Sequence, residues 1–178
     1  MKPKLHEKGQ ALILIAFGAI VLVGFTGLAI DGSRVFSDRR HAQNAADTAA
    51  LAAALSKIRA DPPATGDAIA EAAGLARAAS NGYDNTNSIV EVHNCAESNL
   101  NPPCEGLPTG ADLAEKEKYL QVVIRLTTYT TFARVLGRTE IPSVVSAIAR
   151  AEPGGPGPVG GGFALSAMSP DDENAVYG

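Results

Sequence analysis

The sequence predicts an α+β protein: an N-terminal transmembrane helix extended into a long helix, then a small domain with a second helix and a short antiparallel sheet. Three observations predict it. Residues 11–30 are an uncharged apolar run, an alanine-rich stretch without proline continues to about Ile58, and two later segments alternate apolar and polar residues with a period of two. At 178 residues the chain holds one modest domain plus attachments. Its apolar fraction is supplied heavily by alanine, with no tryptophan, which favours closely packed helices over a large aromatic-lined pocket. The net charge is −4, and no basic run is interleaved with aromatics. Nucleic acid is therefore not an expected partner.

The apolar run reads ALILIAFGAIVLVGFTGLAI, with Thr26 its one polar residue. Its length matches the roughly 20 residues a helix needs to cross about 30 Å of hydrocarbon. Twelve positions are Leu, Ile, Val or Phe, favouring insertion by at most about 4 to 7 kcal/mol. A membrane anchor is the leading reading, ahead of a cleaved secretory signal and a buried core helix. Lys2, Lys4 and Lys8 form a basic leader, and Gly27-Leu28-Ala29 would suit a peptidase cutting after Ala29. The apolar region is too long for a signal, however. Those lysines also hold the N-terminus in the cytoplasm, although Arg34, Arg39 and Arg40 on the far side tie the bare count.

Past Ile30, alanines recur at Ala42, Ala46, Ala50 and Ala54, with a second series at Ala45, Ala49 and Ala53. Spacing of four puts each series on one helical face, so another helix can approach closely. That helix is either the chain's own second helix or one from another subunit. Arg39, Arg40, Gln43, Asn44 and Asp47 fall on solvated positions, and Pro62-Pro63 stops the helix. The second helix is expected from Gly66 to Ser80, with Thr65 placed to cap it and Asn81-Gly82 to end it.

Residues 84–118 read as loop with a short strand at Ser88–His93. The clearest strand is Tyr119–Tyr129, where Leu120, Val122, Ile124 and Leu126 form a buried face and Gln121, Val123, Arg125 and Thr127 a half-wet one. A helical turn at Thr131–Leu136 closes at Gly137. A final strand, Ser143–Ala151, alternates Val145, Ala147 and Ala149 against Ser146, Ile148 and Arg150 and is expected to pair antiparallel with Tyr119–Tyr129. The run PGGPGPVGGG reads as a linker, and Phe163–Met168 could begin another strand.

Cys95 and Cys104 are the only cysteines, and Asn101-Pro102-Pro103 can turn the chain between them. A disulfide closing so short a loop would contribute roughly 2 to 3 kcal/mol. Two independent thiols are the alternative, and the spacing does not suit a metal site. The disulfide reading favours an extracytoplasmic domain and hence a cytoplasmic N-terminus. His6, His41 and His93 are scattered, and no nucleophile elbow, P-loop or zinc-protease motif is present. Asp31-Gly32-Ser33 opens like the metal-binding Asp-x-Ser-x-Ser loop of von Willebrand-type domains, but position 35 is Val. Asp171, Asp172, Glu173 and Asn174 lack an enclosing calcium-loop pattern. No cofactor and no small-molecule substrate is expected.

The N-terminal block EKGQALILIAFGAIVLVGFTGLAIDGSRVFSDRRHAQNAADTAALAAA resembles the TadE/TadG-like proteins of the Flp (Tad) pilus-assembly system. The resemblance lies in the ordered combination: Gly9-Gln10-Ala11 before the apolar helix, Asp31-Gly32 after it, a basic stretch, then Gln43-Asn44-Ala45-Ala46-Asp47 and an alanine run. Asn81-Gly82-Tyr83, Phe132 to Gly137 and the last strand are also similar to relatives. The resemblance is close over roughly 10–55 and loose over 66–151. It implies a pilin-like long helix, a part in assembling or anchoring a surface pilus or its secretion apparatus, and no catalytic residues. The implied partners are the lipid bilayer and other pilus-assembly or pilin-like membrane proteins. Pilin-type subunits are cut after a glycine preceding the helix and carry glutamate five residues on. Gly9 suits such processing, whereas Leu14 stands where the glutamate would be.

The expected organisation is a cytoplasmic N-terminus (1–10), a transmembrane helix (11–30), a stalk helix (31–60), an extracytoplasmic α+β domain (61–152) and a Gly/Pro-rich linker and tail (153–178). The expected function is that of a non-enzymatic, single-pass component of the cytoplasmic membrane. A processed minor pseudopilin and a tethered exported binding or enzymatic domain are the alternatives.

Overall fold

The computed structural model describes residues 7–61 and 65–152, with the side chains of residues 7–10 excepted. The Pro62-Pro63 stop, the linker, the strand start at Phe163–Met168 and the acidic end at Asp171–Asn174 lie outside the described residues, as do Lys2, Lys4 and His6.

Helix α1 runs from Glu7 to Ile58, 52 residues without a break at Gly32. At 1.5 Å per residue it is roughly 78 Å long, far longer than one small domain can cover. Its two halves meet different surroundings. Between Ala11 and Ile30 Gly27 alone is buried, and Leu12, Phe17 and Phe25 are each about two-thirds exposed or more. Thr26 donates to the Leu22 carbonyl at 2.8 Å, so the one hydroxyl in this stretch is satisfied within the helix. A helix apolar on every side and left uncovered by the other described residues is long and apolar enough to cross a membrane.

From Ala42 onward the same helix enters a core. Ala42, Ala45, Ala46, Ala49, Ala50, Ala53 and Ala54 are all buried, packed against helix α2 (Gly66–Ser80) and a three-stranded sheet. Side chains of a single methyl let backbones approach closely. One close approach is at Gly74 of α2, where an added Cβ would lie 2.9 Å from Val92 Cγ2 and 3.4 Å from the Ala53 methyl. Helix α2 ends in a Schellman motif: the Gly82 N–H donates to Ala79 and the Tyr83 N–H to Ala78, with Gly82 at φ 90°. Thr65 holds the N-cap position but makes no side-chain cap hydrogen bond.

The sheet order is β1 (Ser88–Asn94), β2 (Tyr119–Tyr129), β3 (Glu140–Arg150), antiparallel throughout. Val92 pairs with Val122, Val122 with Ala147, and Leu120 with Ala149, so valine, leucine and alanine line the face toward the helices. Strand β3 begins three residues before the expected Ser143, and it contains Pro142. Proline is tolerated there because, among the described residues, β3 is an edge strand with no ladder partner on its far side.

The outer face of β2 differs from the half-wet face expected. Gln121 and Val123 are completely buried, because residues 95–118 fold back over that face. Gln121 Nε2 donates to the Pro103 carbonyl at 3.2 Å, and Arg125 donates to Glu91 and to the Asn101 carbonyl. The covering loop carries the bridged Cys95–Cys104 pair, Cα atoms 5.8 Å apart. It also carries a short helix, α3 (Leu113–Lys116), started by Asp112 accepting from the Glu115 N–H at 2.8 Å.

Candidate functional site

Where α1 leaves its apolar run, the next residue is Asp31, buried to 4% exposure. Its carboxylate receives three backbone N–H groups from a segment about a hundred residues away. Oδ1 accepts from Thr131 at 2.9 Å, and Oδ2 accepts from Phe132 at 2.8 Å and Ala133 at 2.6 Å. These are the otherwise unpaired donors opening the 3₁₀ turn Ala133–Leu136, so Asp31 acts as a cap supplied from a different element. The N–H groups of Ala133 and Thr131, with those of Phe132 and the charge of Arg34, hold the carboxyl below the usual aspartate range.

The clamp explains local features on both sides. The Phe132 side chain lies on Gly27, where an added Cβ would come within 2.6 to 2.9 Å of its Cγ, Cδ1 and Cβ, so glycine is what the contact requires. Gly137, at φ 81°, ends the turn by donating to Arg134, while Arg138 donates to Ala133. Strand β2 runs back along α1 and is pinned at intervals. Thr128 donates to Asp38 at 2.9 Å, and at the far end the Lys57 ammonium meets the Glu117 carbonyl and Asp67. The β2–β3 connection is thereby held at the border of the apolar run.

The residues singled out from sequence are distributed differently. Ala42, Ala46, Ala50 and Ala54 lie in the shared core, filled by this chain's own helix and sheet. Cys95 and Cys104 close the loop over β2. Gly9 lies within the backbone of α1. His41 pairs with the Tyr83 hydroxyl at 3.0 Å, which ties the end of α2 to α1, and His93 lies beside Glu91 and Glu97. The resemblance to a metal-binding loop at Asp31 fails on chemistry: the carboxylate is occupied by backbone donors, and Ser33 donates to the Ile30 carbonyl. Among the described residues no group of three His, Cys, Asp or Glu side chains is arranged to hold a metal. A shallow groove between α1 and α2 is lined by Ala52, Leu55, Ala73 and Arg77, with a single cation and no facing carboxylate.

In the sequence Asp31 stands out as an acid at the end of an apolar run and as part of the Asp31-Gly32 pair, but neither feature tells what the carboxylate holds. Its donors are backbone amides, which carry no side-chain signature. No curated protein and no solved structure matches the chain. Residues 9–56, which hold the apolar helix, Asp31 and the alanine ridge together, match the TadE/G-like Flp pilus-assembly family model, Tad.

Proposed function

We propose that this chain is a membrane-anchored, non-enzymatic component that assists assembly or anchoring of a Flp/Tad pilus or its secretion apparatus. It crosses the cytoplasmic membrane once, with its N-terminus inside and its α+β domain outside. The observation that carries this reading is the family match to residues 9–56, a span that is one unbroken helix, exposed along its apolar lower half and buried on the alanine face of its upper half. The bridged cysteines support an oxidising compartment for the domain. The mechanism is packing: α1 carries the domain rigidly above the bilayer, because the helix in the membrane and the helix in the core are the same element. Its partners are the bilayer and other pilus-assembly or pilin-like membrane proteins, met through surfaces outside the alanine ridge.

Protease protection of intact cells bearing a tag at each end tests the topology. The C-terminal tag should be cleaved and the N-terminal tag spared, and the opposite pattern would overturn the orientation. Intact mass of the mature chain separates this reading from a processed minor pseudopilin. A chain beginning at Gln10 would place it in the filament class, whereas retention of residues 1–9 supports an unprocessed accessory protein.

A further inference from the structure

The turn between β2 and β3 presents large apolar side chains outward. Val135 is 88% exposed, Leu136 69% and Phe132 42%, all within five residues. On a surface meant for water such a cluster is unfavourable, and it marks a contact site. Its position says what the contact is with. The Asp31 clamp fixes this turn against α1 at the first residue after the apolar run. Phe132 reaches further down and rests on Gly27, about 6 Å below Asp31 along the helix axis. Whatever medium surrounds Phe25, Leu28 and Ile30 on that helix therefore also surrounds the Phe132 ring.

The charges nearby have a matching arrangement. Arg134 and Arg138 are exposed on the turn, Arg34 is exposed one helical turn above Asp31, and no acidic residue occurs between Thr130 and Thr139. Of the carboxylates close by, Asp31 is engaged by backbone N–H groups and Asp38 by the Thr128 hydroxyl. Glu140 begins the next strand, opposite the exposed Tyr129. An apolar tip rimmed by arginines, with a tyrosine beside it, has the composition of a segment that enters the headgroup and upper acyl region of a bilayer.

We infer that the turn Phe132–Leu136 is a second membrane contact, a wedge embedded in the outer leaflet beside α1, with Arg34, Arg134 and Arg138 at the level of anionic headgroups. This rests on the membrane-anchored reading above. One helix alone leaves a domain free to rotate about the helix axis. A wedge clamped to that helix fixes which face of the domain lies toward the membrane and which faces are presented to neighbouring proteins.

The chain contains no tryptophan, so a single introduced indole reports its own surroundings. The full chain is reconstituted in phosphatidylcholine–phosphatidylglycerol vesicles, with and without lipids brominated in the upper acyl chain. Three variants are compared at exposed positions: Val135→Trp on the wedge, Leu22→Trp in the apolar run and Ile89→Trp on the sheet edge. Emission from V135W and L22W should be blue-shifted and quenched by bromine, while I89W keeps a water-like, unquenched spectrum. A V135W spectrum like that of I89W, beside a quenched L22W, overturns the wedge and leaves the anchor standing. A V135W emission that is blue-shifted yet unquenched means that protein, such as a second copy of the chain, covers the turn, and this also overturns the lipid assignment. Failure of L22W to be quenched overturns the anchor and the wedge together.

Discussion

The two halves of α1 are one helix in two surroundings. Residues 11–30 are mostly large and apolar and, Gly27 apart, exposed, whereas residues 42–54 bury one face, its alanines at 42, 45, 46, 49, 50, 53 and 54 each at most 5% exposed. A continuous helical backbone thus need not carry continuous packing logic. The lower half is chosen for bulk apolarity, where any aliphatic side chain serves. The upper half is chosen for smallness, because α2 and the sheet must approach a helix that the domain cannot surround. Only at Gly27 does the lower half obey the upper half's rule, and there Phe132 takes the space.

Charge should break both halves, by different routes. Ala46→Asp leaves an unpaired carboxylate in a dry core and should cost the domain about 3 to 5 kcal/mol, seen as a lost unfolding transition in detergent. Ala19→Asp should leave that transition in place but oppose membrane insertion by about 2.5 to 3.5 kcal/mol, scored by fractionation.

Size should separate the halves more sharply. Ala46→Leu overpacks the core and should destabilise it by about 1 to 3 kcal/mol, while Ala19→Leu should favour insertion by about 0.3 to 0.6 kcal/mol. Equal tolerance of leucine at both positions in chemical denaturation would remove the distinction. Gly74→Val, crowding Val92 and Ala53, should behave like the core substitution.

Smaller effects are expected at the junction. Gly27→Leu should displace Phe132 and raise amide exchange at Thr131–Ala133 while the domain's unfolding midpoint stays put. The same amides report Asp31 by pH. Its pKa is lowered in the folded chain, so its contribution is fully present above about pH 4 and is lost as the pH falls through the lowered value. Exchange at these three positions, normalised to intrinsic rates, should rise on acidification. Asp31→Asn should abolish that dependence; an unchanged acid response in the variant would assign it to another group.

Much of the fold was legible because its signals are local. The apolar run, the alanine spacing, the Asn81-Gly82 ending of α2 and the alternation in Tyr119–Tyr129 each need only neighbouring residues to interpret. Helix α3 was missed although Asp112 and Glu115 form a capping pair, since a four-residue helix has no periodicity to detect. The first three residues of β3 were hidden by Pro142, whose tolerance depends on the strand lying at an edge. The cover over Gln121 and Val123 was hidden because the covering chain is irregular.

By itself the sequence determined that α1 is long, apolar below and small-faced above, because helical periodicity and hydropathy are properties of the chain's own order. Only the tertiary structure decided what fills the alanine ridge and what the acid at Asp31 holds. Both answers lie in segments distant along the chain, and the donors at Asp31 are main-chain amides that every residue but proline possesses. No pattern of side chains can announce them; the fold must first bring Thr131–Ala133 to the border of the apolar helix.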